Sequence, residues 1–236
     1  MRLLFGTTNA GKLRELRRLV AGLEVEVVGP AELPGEPPEV VEDGATFEEN
    51  ARKKAVAWAR WSGLPTVADD SGLCVEALGG APGVHSARWS DLAPGPALAS
   101  PACELAGAAA SELGPEAGRA ARDERNNDKL LRALRGLPDQ RRGAEYRAVL
   151  VLASPEGEVL ASVLGRCRGR IGHERRGQGG FGYDPLFLVS PEPGASGGAA
   201  ERTMAELDPL EKDAISHRGE AFRGLLPILA RLAKGA

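Results

Sequence analysis

MRLLFGTTNAGKLRELRRLV, residues 1–20, reads as a strand, a turn and a helix in direct succession. Leu3 to Phe5 form the short apolar run of a buried strand, and a Gly/Thr/Asn turn follows. From about Gly11 onward, Leu13, Leu16, Leu19 and Val20 recur at helical spacing. Val25, Val27 and Val28 then predict a second strand, and Pro34 to Gly44 a loop rich in proline and acid.

The same alternation continues along the chain. Thr46 with Glu49 three residues later predicts a capped helix through FEENARKKAVAWARW, with Phe47, Ala51, Ala55 and Trp58 on one face and Gly63 and Pro65 as its stop. Pro65 to Asp70 predicts a short apolar strand ending in two carboxylates. Leu92 to Arg119 is rich in Ala, Pro and Gly, and reads as a mobile surface insertion with room for a short helix around Cys103 to Leu113. A helical pattern resumes from Asn127 to Leu134. Tyr146–Ala153 and Val159–Leu164 read as a hairpin turned at Pro155-Glu156-Gly157. Leu186–Val189 predicts another strand and Pro191–Ala199 a loop. Asp208-Pro-Leu-Glu predicts a helix start, and Phe222, Leu225, Leu229 and Leu232 an apolar stripe on the last helix. Interleaved helices and strands with one hairpin imply an α/β fold with a mixed β-sheet flanked by helices.

At 236 residues the chain is long enough for a substantial core, and residues 1–236 are expected to form a single domain. Aromatics make up only 4%, so Ala, Val and Leu must build that core. A net charge of −3 excludes bulk electrostatic binding to nucleic acid and requires that any phosphate-binding Lys and Arg be gathered locally. Cys74, Cys103 and Cys167 are odd in number and lack CxxC spacing, so free thiols are expected rather than a disulfide framework or zinc site. The first residues lack a secretion signal's apolar stretch, and no run approaches the ~20 apolar residues of a membrane span. A cytoplasmic location with no membrane partner is expected.

Gly6 to Lys12 fits the P-loop pattern GxxxxGK between a strand and a helix, but Leu13 follows where Ser or Thr must hold magnesium. What survives is a helix start whose N–H groups attract phosphate, with Thr7, Thr8 and Asn9 as further donors and Lys12 as a charge. The plain alternative is a capped strand-to-helix turn. Asp69 and Asp70 point in opposite directions from an extended strand, so one enters a given site while the other may hold the turn at Ser71-Gly72. Glu42 with one of them suits Mg²⁺, which takes one or two carboxylates plus waters and phosphates; a solvated turn carboxylate is the alternative. Lys54, four residues after Asn50, borders the apolar stripe and either aims into the site or into solvent. The glycines of Gly177-Gln-Gly-Gly-Phe-Gly-Tyr-Asp-Pro185 allow close approach to a ligand and expose Phe181 for base stacking, or else form a hairpin tip. His217 and Arg218 can donate to a base carbonyl and reject an amino group, or simply begin a helix.

Five blocks resemble the inosine/xanthosine triphosphate pyrophosphatase family: TTNAGKLREL from Thr7, TFEENARKKA from Thr46, ADDSGLCVEALGGAPGVHSAR from Ala68, GGFGYDPLF from Gly179 and AELDPLEKDAISHRGEA from Ala205. The resemblance implies an elongated two-lobed fold around a central cleft, usually a homodimer. It also implies Mg²⁺-dependent cleavage between the α- and β-phosphates of deaminated purine nucleotides. By position it makes Thr7, Thr8, Asn9, Ala10, Gly11 and Lys12 the triphosphate loop. Glu42 and Asp70 become metal ligands, with Asp70 also the base that activates water, and Lys54 a phosphate contact. Ser71, Phe181, Gly182, Tyr183, Asp184, Lys212, His217 and Arg218 become the nucleotide-binding set. The 92–119 stretch and the loop before Thr203 are longer than the family's usual connections. The rival readings are a P-loop kinase or phosphatase, a related pyrophosphatase acting on modified pyrimidine nucleotides, and a non-catalytic nucleotide sensor.

Overall fold

A computed structural model describes residues 1–93, 115–189 and 201–234. It has five helices and six strands among those residues: β1 (Arg2–Phe5), α1 (Ala10–Leu19), β2 (Glu26–Val28), α2 (Phe47–Ser62), β3 (Thr66–Val75), α3 (Pro115–Ala133), β4 (Gly143–Ala153), β5 (Val159–Ile171), β6 (Phe187–Val189), α4 (Pro209–Ile215) and α5 (His217–Ala233). The strands form one mixed sheet in the order β2-β1-β3-β4-β5-β6. β1 runs parallel to β2 and β3, and β5 antiparallel to β6. Neighbours β4 and β5 are joined by five residues, too few for a parallel crossover, which makes them the expected hairpin. The α/β class and flanked mixed sheet are therefore as the sequence implies. No helix among the described residues is long and apolar enough to cross a membrane.

The chain divides into two compact units. The first comprises Met1–Ser71, Tyr146–Cys167 and Pro209–Ala236, and the second Gly72–Glu145 and Arg168–Asp208. In the first, period-two alternation of side chains sorts the core onto both faces of the sheet. Leu3 and Phe5 of β1, Val67 of β3, and Leu150 and Leu152 of β4 pack with Leu16 of α1 and Phe222, Leu225 and Leu229 of α5. Ala68 of β3 and Val149, Val151 and Ala153 of β4 instead meet Ala51, Ala55 and Ala59 of α2. Leu4 lies with Val28 and Trp58. Strands covered on both faces read as continuous apolar runs, which is why these segments were legible. α5 sits directly against β5 at Gly165, where a Cβ would collide with the His217 carbonyl.

The helix termini follow local chemistry. Asn9 caps α1, its Oδ1 accepting from the N–H of Gly11 (2.9 Å) and, more weakly, of Lys12 (3.4 Å). The Thr46 hydroxyl accepts from Glu49 N–H (3.1 Å), but Glu49 returns its carboxylate to Ala45 N–H rather than to Thr46, shifting the capping box by one residue. Gly63 ends α2 with φ of +64°.

Two expectations need correction. β3 does not end at Asp70 but continues to Val75, because both carboxylates have cationic partners and need not mark a solvated strand end. α3 begins at Pro115, twelve residues before the predicted start, so the last residues of the 92–119 stretch are helical. Ala, Arg and Glu favour a helix there even without an apolar stripe. The rest of that stretch, including the expected helix at Cys103 to Leu113, and the loop at Pro191–Ala199 lie outside the described residues.

The second unit packs α3 on the segment Gly83–Asp91. Asn126 Oδ1 accepts from Ser90 N–H (2.7 Å) while its amide donates to Ser86 O (3.2 Å), and Trp89, Leu130 and Leu134 are buried.

Phe222 is fully buried and meets Phe5 edge to face at 6.0 Å and 74°. Phe222→Ala is expected to cost about 3–5 kcal/mol of stability in urea unfolding. A loss below about 1 kcal/mol, the range of ordinary surface changes, would show that this cluster does not hold the unit together.

Candidate active site

The chemistry concentrates in the first unit, around two adjacent residues of β3. Because successive side chains leave a strand on opposite faces, Asp69 joins Val67 on the side of α1 and α5, and Asp70 joins Ala68 on the side of α2. Each face supplies its own cations.

On the first face, Lys12 Nζ donates to Asp69 Oδ2 at 2.7 Å, and Arg218 Nε stands 3.5 Å from the same oxygen. Ser71 Oγ also donates to Asp69 Oδ2, at 3.2 Å. Arg218 pairs through Nη1 with Glu15, and both side chains are almost wholly buried. Burial alone would raise the Asp69 carboxyl, but Lys12, Arg218 and Lys54 outweigh it and hold that group well below the usual carboxylate range. Asp69 is thus a permanent anion that orders two cations. The expectation that the second carboxylate holds a Ser71-Gly72 turn is replaced by this role, since those residues lie within β3.

On the second face, Lys54 Nζ donates to Asp70 Oδ1 (3.1 Å) and to Glu42 Oε2 (2.8 Å). Lys54 therefore aims inward. Desolvation opposes its charge, yet Asp70, Asp69 and Glu42 together raise it above an ordinary lysine. Asp70 behaves oppositely: burial and the charge of Glu42 win over Lys54 and Lys12, and its carboxyl is pushed up to about 6. Such a group is suited to accept a proton near neutrality. Asn50, buried in α2, donates to Asp70 Oδ2 at 3.2 Å.

The donor set fits a magnesium ion. Glu42 and Asp70 converge on a single ammonium, so a cation of that charge sign is what their oxygens already enclose. Among the described residues no group of three or more His, Cys, Asp or Glu is poised for a metal. Two carboxylates with the remaining positions left to water and phosphate is the usual protein share for this ion.

Thr7, Thr8 and Asn9 lie in the turn from β1 to α1, and Ala10, Gly11 and Lys12 open α1. Thr7 Oγ1 accepts from Asn9 N–H (3.2 Å), Thr8 and Ala10 are exposed, and Leu13 packs toward the core rather than offering an oxygen. At the other end of this unit Ser216 caps α5 by accepting from Gly219 N–H (3.0 Å), so His217 and Arg218 do begin a helix, but a buried one. His217 lies flat on Tyr146, with ring centroids 4.7 Å apart at 11°. Burial, reinforced by Arg218 and Lys212, keeps its imidazole neutral, and its buried Nδ1 has no hydrogen-bond partner. Lys212 is half-buried on α4, which is tied to α1 by the two-pronged contact of Arg18 with Asp213 (2.7 and 3.0 Å).

Phe181 to Asp184 belong to the second unit. Gly180 and Gly182 take positive φ (+74° and +64°) on either side of Phe181, whose N–H donates to Asp184 Oδ2 at 2.9 Å. Asp123 and Asn127 of α3 hold the backbone of Gly182. Tyr183 is buried and spends its hydroxyl on Ser86 O (2.9 Å); burial pushes its phenol far up, so it remains a donor. Tyr183 and Asp184 thus shape the turn that presents the half-buried Phe181.

Glu15, Asn50 and Tyr146 escaped the reading from sequence as site-forming side chains, and Asp69 was read only as one of two carboxylates of which a single one enters the site. Glu15 lies three residues after Lys12 on α1, so helical spacing was its one available signal.

The sequence profile of the Ham1 family matches residues 3–228. A dITP/XTP pyrophosphatase of Anaeromyxobacter dehalogenans is 73% identical over all of both chains, and one of Streptomyces avermitilis is 43% identical over 98% of each. Among solved structures, a HAM1 protein from Coxiella burnetii superposes with a TM-score of 0.72 at 34% identity, covering 98% of this chain and 99% of the other. The match is full-length and carries every block quoted above, and this chain belongs to the Ham1 family.

Proposed function

We propose that this chain hydrolyses non-standard purine nucleoside triphosphates, dITP/ITP and XTP/dXTP, to the nucleoside monophosphate and pyrophosphate, and so cleanses the nucleotide pool. One observation carries the reading: within one unit, Lys12 and Arg218 gather on Asp69 while Lys54 bridges the adjacent Asp70 and Glu42. Relatives of this chain named dITP/XTP pyrophosphatase support it at up to 73% identity.

In this proposal water attacks the α-phosphorus in line, and the bond to the oxygen bridging the α- and β-phosphorus breaks, releasing pyrophosphate. Asp70 orients that water and takes its proton. Lys12 and Lys54 offset negative charge on the phosphate oxygens, and Thr7 to Gly11 contribute polar contacts at the start of α1. Glu42 and Asp70 would hold a magnesium ion, which when bound would further neutralise the phosphate oxygens. His217 and Arg218 donate to the 6-oxo group of the base, whereas a 6-amino group would set donor against donor in a buried place. Phe181 offers its ring for stacking, within the turn built by Gly182, Tyr183 and Asp184; Ser71 and Lys212 complete the nucleotide-binding set by resemblance.

The resemblance also supports Mg²⁺ as the cofactor, a homodimer, a cytoplasmic location and a single activity served by residues 1–236.

Incubation with Mg²⁺ and inosine, xanthosine, adenosine, guanosine and modified pyrimidine triphosphates is expected to yield monophosphate and pyrophosphate from the first two. Release of nucleoside diphosphate, preference for the pyrimidines, or binding without turnover would each favour a rival reading. Chelation with EDTA should abolish turnover and added Mg²⁺ restore it. Asp70→Asn is expected to lower kcat by about 10²-fold or more in a folded protein; a rate near that of the wild type removes Asp70 from the chemistry. Phe181→Ala should act mainly on KM, raising it roughly tenfold. An unchanged KM rules out stacking.

A further inference from the structure

We propose that Asn50 is a positioning residue for the metal ligands, locking Asp70 and the loop that carries Glu42 into one cradle for a divalent cation. The inference rests on the assignment of Glu42 and Asp70 as those ligands.

Asn50 lies in the first turn of α2 and is 1% exposed. Its two amide atoms serve two different segments. Nδ2 donates to Asp70 Oδ2 on β3 at 3.2 Å, and Oδ1 accepts from Gly44 N–H at 2.8 Å, two residues beyond Glu42. A carboxylate can only accept and a peptide N–H can only donate, so these partners fix which way round the amide stands. The other Asp70 oxygen, Oδ1, faces Lys54, which also holds Glu42. Asn50 therefore grips Asp70 by the oxygen that Lys54 does not engage, and fixes the backbone beside Glu42 with the same side chain.

The loop approaches too closely for any larger residue. A Cβ at Gly44 would stand 2.6 Å from Asn50 Oδ1 and 2.8 Å from Glu49 Cβ. Gly44 does not take a positive φ, so it is the contact with the amide, and not an unusual backbone conformation, that calls for glycine there. A short amide is also the right length. Asp at this position would lose the donor to Asp70 and set a like charge beside it, while Gln would lengthen the link by one methylene.

The spacing of two carboxylates governs affinity for a small ion with strict oxygen geometry, and partners that orient metal ligands typically matter 10–100-fold for metal affinity or activity. Asn50 makes no contact with substrate in this account; it acts through Asp70 and Glu42.

The test is binding of Mn²⁺, as the probe ion, to the nucleotide-free full-length protein, followed by electron paramagnetic resonance. Asn50→Ala and Gly44→Ala are each expected to weaken Mn²⁺ binding about tenfold or more. The Mg²⁺ concentration that half-activates the enzyme should rise by a similar factor, with KM for inosine triphosphate at saturating Mg²⁺ little changed. A merely structural Asn50 would lower the melting temperature and leave the ion affinity of the folded protein alone, and that result overturns the proposal. Should Asn50→Ala fail to fold, Gly44→Ala decides, since it retains the amide and displaces only the loop; wild-type Mn²⁺ affinity there is equally fatal. Absence of Mn²⁺ binding in the wild type strikes instead at the assignment of Glu42 and Asp70.

Discussion

Two carboxylates on consecutive positions of a buried strand create the constraint that organises the first unit. Asp69 and Asp70 leave β3 on opposite faces, so their direct ion pairs are made with different cations. Each must be met by cations delivered from a different layer, and the layers comply. α1 and α5 bring Lys12 and Arg218 to Asp69, and α2 brings Lys54 to Asp70. Removing one partner of such a buried pair typically costs about 3–5 kcal/mol, since the other charge is left uncompensated.

The core makes that delivery possible. Small residues on α2, namely Ala51, Ala55 and Ala59, let the helix lie close to Ala68 and Val149. Lys54 and Asn50 can then reach β3 with side chains of ordinary length. Gly165 does the same for α5, whose first turn would otherwise be held off β5. The scarcity of aromatics noted in the composition is consistent with this close layering.

Charge balance connects fold to function. Three cations, Lys12, Lys54 and Arg218, face four carboxylates, Glu15, Glu42, Asp69 and Asp70. The roles within this set diverge by environment. Asp69, enclosed by positive charge, stays ionised and holds its partners in place. Asp70, buried beside Glu42, is raised toward neutrality and is the one suited to exchange a proton. Adjacent identical residues thereby acquire different chemistry.

Local order along the chain was enough to establish the strand–turn–helix opening, the capped α2, the β4–β5 hairpin, the α/β class and the family resemblance. Those features depend on periodicity, caps and motif blocks a few residues long. The identity of Lys12, Lys54, Asp70 and Arg218 as site candidates was legible for the same reason. Only the tertiary structure decided that β3 runs on through both carboxylates, that Asp69 is an internal anchor, and that Glu15 and Asn50 belong with them. Arg218 and Glu15 are 203 positions apart, and Lys12 and Asp69 57. An acidic pair ends a strand when water is its only partner, and continues one when distant lysines and arginines fold onto it, a difference that no local window of sequence contains.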